Sequence, residues 1–233
     1  MLEIIDISMP LSESMTGWPG NLPARFPGTL RMSKGDPVNV TDCHLCAHTG
    51  THVDAPFHHF ADGFGIDQLD SGTLIGKAYV MDLTAPRTCI EAADLAALDS
   101  AEPFDILLTK TRNSTEKDIW SGQFREDYIY ISPSGARELI RRGIRSVAVD
   151  CLSVEGFENT AGETHKILLN EGATTIIEGV DLRKISPGYY WFACLPLNIP
   201  GSDGAPARAI LIRDQGAGFL QAWEKAGKQF SPA

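Results

Sequence analysis

The sequence predicts an α/β protein, a mixed sheet with helices packed on it. Three observations carry that reading. Strand-like apolar runs recur along the whole chain and outnumber helical segments. One stretch, YIYIS-PSGARELIRRG-IRSVAVD (residues 128–150), reads strand, helix, strand. The composition, 43% hydrophobic and 21% charged over 233 residues, supports a sizeable core. With no internal repeat and no linker rich in Pro, Gly and Ser, a single domain over 1–233 is expected.

The elements follow in order. LEIIDIS (2–8) is a strand, and the opening lacks the basic and apolar regions of a secretory signal. GWPGNLPARFPG (17–28) is a turn-rich loop. AYVMDL (78–83) and FDILLTKT (104–111) read as strands. In the 128–150 unit, Ser132 suits an N-cap, Pro133 the first helical position and Gly143 the left-handed exit. A helix joining two strands in this way implies a parallel pair with a right-handed crossover. TTIIEGVDL (174–182), WFACLPLNI (191–199) and RAILIRD (208–214) complete the strands.

A nucleic-acid binder usually shows a basic face, so with a net charge of −10 no nucleic-acid partner is expected. No apolar run approaches the ~20 residues that cross a bilayer. Five scattered cysteines suit a reducing compartment, so a cytoplasmic location is expected. Cys43 and Cys46 form a CxxC with no second pair to complete a zinc site, and read as two small buried apolar residues.

Five of the six histidines fall within residues 44–59. His48, Gly50, His52, Asp54, Pro56 and His58 share parity, so in an extended chain they share a face. A helix would also join His48 to His52, but Gly50 and Pro56 argue against a continuous one. An extended or looped segment is expected, with room for a short helix after Pro56. Two imidazoles and a carboxylate suit Zn²⁺, Mn²⁺ or Fe²⁺, and three protein ligands leave a position for water. His44 lies before the motif and His59 has the opposite parity, so both read as ordinary histidines. Far along the chain, His165 precedes Glu178, a carboxylate inside an apolar run that is costly to bury unless paired or coordinated.

The run His48-Thr49-Gly50-Thr51-His52-Val53-Asp54-Ala55-Pro56-Phe57-His58 resembles the HxGTHxDxPxH motif of the cyclase family of metal-dependent hydrolases. DISMPLSESMTGWPG, GIRSVAVDCLSVE, HKILL with IIEGVDL, and LPLNIPGSDGAPARAIL resemble further family blocks in the same order. The resemblance implies a swivelling β/β/α fold and one or two divalent ions, Zn²⁺ or Mn²⁺. It implies His48, His52 and Asp54 as metal ligands, with His165 and Glu178 completing a second position that shares Asp54. It implies His58 as the acid/base and Trp18 as a wall of the substrate pocket. Assembly as a homodimer or homotetramer also follows from it. Asn21 and His59 depart from the common family residues, aspartate and an aromatic, and bear on the substrate more than on the reaction.

The implied activity is hydrolysis of a small amide, an aryl formamide such as N-formylkynurenine or a cyclic amide such as isatin. A metal would acidify water and polarise the carbonyl, with His58 carrying the proton to the leaving nitrogen. A serine route has no G-x-S-x-G elbow, and no P-loop or GxGxxG turn supports nucleotide chemistry. The reading from another class is a metal-dependent small-molecule binding protein without turnover. His58 argues against it, because a binding site needs no proton carrier.

Overall fold

Alternation along the strands decides what each face buries, and here it builds a sheet that closes on itself. The computed structural model describes residues 2–85, 88–116, 121–214, 216 and 218. Its main strands are β1 (Leu2–Asp6), β2 (His52–Asp54), β3 (Ile75–Asp82), β4 (Ile106–Lys110), β5 (Ser146–Val149), β6 (Thr175–Glu178), β7 (Gly188–Pro196) and β8 (Gly204–Asp214). Their order is β1-β8-β7-β3-β4-β5-β6-β2, and β8 also pairs with β2. The long β8 does both jobs, with Ile210–Asp214 on β1 and Gly204–Pro206 on β2. From β3 to β6 the pairing is parallel; elsewhere it is antiparallel. The expected α/β class with a mixed sheet therefore holds.

One apolar cluster fills the barrel, among it Val53, Val80, Ile106, Leu108, Ala148, Ile177 and Phe192. The alternate residues Leu107, Val147, Val149 and Ile176 face outward into a second cluster with Leu139 and Leu168. Those last two come from the helices α1 (Pro133–Arg141) and α2 (Glu163–Leu169), which cover the parallel strands. Such strands are buried on both faces, hence their unbroken apolar sequences. Among the described residues, no helix is long and apolar enough to cross a membrane.

Both ends of α1 follow from the sequence. Ser132 Oγ accepts from the Gly135 N–H, and Pro133 occupies the first turn. At the other end Gly143 takes φ +70°, the Ile144 N–H donates to Leu139 O and the Gly143 N–H to Ile140 O. These two bonds form a Schellman exit, with Leu139 and Ile144 packed in the same cluster.

The expected parallel pair around α1 is not formed. Tyr130–Ile131 pairs with Cys89–Ile90 in a separate two-stranded sheet, while β5 pairs with β4 and β6. Both edges of β5 are taken by strands that are themselves buried and apolar. The Ile131 N–H turns instead to Val154 O.

Candidate metal centre

β2 lies between β6 and β8, with His52 opposite Glu178 and Asp54 opposite Gly204. Val53 and Ile177 point into the barrel, so His52, Asp54 and Glu178 project from its outer face. The approach to β2 turns at Gly50, whose φ of +66° favours glycine. Gly179 comes so close that a Cβ there would lie 2.7 Å from Gly50 O. After Ala55, the single 3₁₀ turn Pro56–His58 folds the chain back. The stretch is thus extended and then briefly helical, and His58 returns over the ligand face. From α2, His165 descends onto the same spot.

The outer nitrogen of each of three imidazoles is occupied. His48 Nε2 lies 2.9 Å from Asp203 Oδ2, His52 Nδ1 2.8 Å from Gly50 O, and His165 Nδ1 3.2 Å from Glu155 Oε2. Their inner nitrogens converge on two buried carboxylates. His48 Nδ1 is 2.9 Å from Asp54 Oδ1. His52 Nε2 is 3.4 Å from Asp54 Oδ1 and 3.3 Å from Glu178 Oε2. His165 Nε2 is 3.8 Å from Asp54 Oδ2 and 3.4 Å from Glu178 Oε1. The structure thereby brings together the five residues expected to bind metal.

Burial would push each carboxylate up and each imidazole down, but the mutual contacts prevail. Asp54 is held well below the usual range by His48 and His52. Glu178 is lowered too, since His165 and His52 outweigh burial and the Asp54 charge. Against burial, Asp54 raises His48 and, with Glu178, lifts His52 well above the ordinary value. Glu155 and Glu178 bring His165 up to about 10. The carboxylates draw positive charge into this spot, which is what a divalent cation supplies. His52 Nε2 and Asp54 Oδ2 are buried without a hydrogen-bond partner, although polar atoms at such depth normally have one. His48, His52 and Asp54 form one possible ligand triad, and Asp54, His165 and Glu178 another. Nitrogen and oxygen donors with a shared carboxylate fit one or two divalent ions.

The centre forms the floor of a cavity of about 670 Å³. His58 lines it, with ring centroids 4.1 Å from His48 and its Nδ1 3.6 Å from Asp203 Oδ2. Burial, reinforced by His48 and His165, holds His58 below the ordinary histidine value. Trp18 and Phe157 line a wall, their ring centroids 5.7 Å apart, with Asn21 beside Trp18 at the mouth.

Two readings are corrected. His59 is no ordinary surface or core histidine, for it lines the cavity and stacks on His165 with centroids 4.4 Å apart. Parity fails for it because the 3₁₀ turn rotates successive side chains by about a third of a turn. Burial, then His165 and His58, lower it to about 4. Nor are Cys43 and Cys46 a buried pair, since Cys43 is exposed and Cys46 half-buried at the cavity wall. Their segment lies on the surface, where His44 is exposed and its backbone pairs with Arg25. Glu155 and Asp203 lie inside GIRSVAVDCLSVE and LPLNIPGSDGAPARAIL, stretches that resemble family blocks, but no spacing ties either to a histidine.

Residues 5–156 match the family model for cyclases. Kynurenine formamidase of Salinibacter ruber (strain DSM 13855 / M31) is 32% identical over 211 residues, covering 90% of this chain and 97% of that protein. A solved structure of a potential metal-dependent hydrolase with cyclase activity superposes with a TM-score of 0.78 at 29% identity, covering 92% of this chain and 100% of that one. Isatin hydrolase A from Labrenzia aggregata shares the fold, with a TM-score of 0.75 at 19% identity and coverage of 91% and 93%.

Proposed function

The chain belongs to the cyclase family, and on that premise we propose that it is a metal-dependent amide hydrolase, an arylformamidase acting on N-formylkynurenine or a similar aryl formamide. The observation that carries this reading is the convergence of three inner imidazole nitrogens on Asp54 and Glu178 at the cavity floor, with His58 beside them. His48, His52 and Asp54 would hold one ion, and His165 and Glu178, sharing Asp54, a second; zinc or manganese suits both. A bound ion supplies Lewis acidity toward the amide carbonyl and makes water a stronger acid.

The chain's own residues do the rest. His58 is the proton carrier. With its pKa below the ordinary value, its imidazole is neutral at pH 7 and can take a proton from attacking water. The same nitrogen then returns that proton to the leaving arylamine, so the C–N bond breaks without expelling an anion. Asp203, facing both His48 and His58, limits how far either ring turns. Trp18 and Phe157 provide flat apolar surface for an aryl ring, and their packing against Phe124 fixes that wall. A cavity of this volume accepts a small aromatic amide. Cytoplasmic location and assembly as a homodimer or homotetramer belong to the same proposal, and light scattering of the purified protein decides the latter.

The test is an assay of protein loaded with Zn²⁺ or Mn²⁺ against N-formylkynurenine, formanilide and isatin. Hydrolysis of a formamide that disappears with a chelator and returns with the ion is the expected result. Preference for isatin would select a cyclic amide. Protein that binds ions and small aromatic amides but hydrolyses none would be a binding protein, and the hydrolase reading would fall.

A further inference from the structure

The imidazole of His165 is gripped from outside the ligand cluster. Glu155 Oε2 accepts from the His165 ring Nδ1–H and from its backbone N–H, each at 3.2 Å. The other oxygen of Glu155 accepts from Asn159 Nδ2, and the side chain is almost wholly buried. His59 lies flat on the ring, inclined by 21°. That ring of His59 needs Gly162, because a Cβ there would come within 2.5 Å of its Cε1. With Nδ1 engaged and a face covered, Nε2 is the remaining donor atom, and it points at Asp54 and Glu178.

A buried carboxylate is expensive unless it is used. Glu155 is used on His165, and no contact joins it to His48 or His52 among those described. We propose that Glu155 is a positioning residue for the second ion: it fixes the tautomer and direction of His165, and so sets the affinity of the Asp54–His165–Glu178 position without setting that of the His48–His52–Asp54 position. The proposal rests on the reading that divalent ions bind here. Outer carboxylates that accept from a ligating histidine typically change metal affinity by about 10–100-fold.

The experiment uses Zn²⁺ alone, with stoichiometry and both dissociation constants measured by competition against a graded chelator. Wild type, Glu155→Ala and Glu155→Gln are compared, each checked by circular dichroism. Wild type should bind two ions. Glu155→Ala should keep one at wild-type affinity and bind the other about 10–100-fold more weakly. Glu155→Gln retains an oxygen that accepts from Nδ1, and should recover most of the loss. If the alanine variant does not fold, Glu155→Asp takes its place, its shorter side chain withdrawing the acceptor. Equal weakening of both ions, or none, would overturn the proposal, as would a wild type that takes up a single ion. That last outcome leaves the hydrolase reading intact, whereas a wild type that takes up none removes it.

Discussion

His58 is the residue on which catalysis and mere binding part. It shares parity with His52 and Asp54, yet Pro56 and the 3₁₀ turn carry it back over the cavity, with its ring against His48 and Asp203. His58→Asn should leave metal content unchanged while kcat falls roughly 10²–10⁴-fold, the usual worth of a positioned proton carrier. KM should move far less, because proton transfer matters in the transition state. Metal lost from the variant would make His58 a ligand instead. At this scale spacing alone decides geometry only for His52 and Asp54, which alternate within the strand; His48 reaches the same spot through the turn at Gly50 and His58 through the 3₁₀ turn after Pro56. His59 was misread because parity was carried past the strand's end. Asp203 and Glu155 stand in stretches that resemble family blocks, but their pairing with His48 and His165, 155 and 10 residues away, left no local mark. Three imidazoles each needing an acceptor for the outer nitrogen were the one available hint.

Elements were legible where their ends carry their own chemistry. Helix α1 begins and stops where Ser132 and Gly143 dictate, and these are local instructions. The partner of the strand before it was not local, because which apolar strand wins the edge of β5 depends on the rest of the sheet. α1 also carries a test of its electrostatics. Glu138 accepts from Nε and Nη2 of Arg141 and from Nε of Arg142, at 2.6–2.7 Å. Arg141 first, then Arg142, bring its carboxyl down to about 2 from an ordinary 4.5. A carboxylate lowered on folding adds stability above its unfolded pKa, and loses it as pH falls through the folded one. Glu138→Gln should therefore melt lower than wild type at pH 7, with the gap closing between pH 4.5 and 2. Because the pairs border solvent, the gap should be modest and shrink in 1 M salt. A gap constant across that pH range would show that the charge contributes nothing.

At the scale of the molecule, the centre sits where the barrel closes. β2 is three residues long and is held by β6 and β8, with His52 opposite both Glu178 and Pro206. The sequence showed RAILIRD as a strand but not that the residues before it seal the barrel, since pairing across 150 residues leaves no local mark. The consequence is thermodynamic. Its donors come from the β2 segment, from α2 and from β6, which an unfolded chain cannot hold within bonding distance. An ion that binds only the folded state stabilises it by RT ln(1 + [L]/Kd), about 2.7 kcal/mol at a hundredfold excess over Kd. For a chain of this length that corresponds to a rise in Tm of roughly 5–10 °C. Melts of chelator-treated protein with and without Zn²⁺ should show that rise. Glu178→Gln should show a smaller one, because on the proposed assignment it takes a carboxylate charge away from the second position. If zinc left wild-type Tm unmoved while elemental analysis found it bound, the unfolded chain would bind it as well as the folded one, and the centre would not be assembled by folding. A rise of equal size in Glu178→Gln would mean that Glu178 holds no ion.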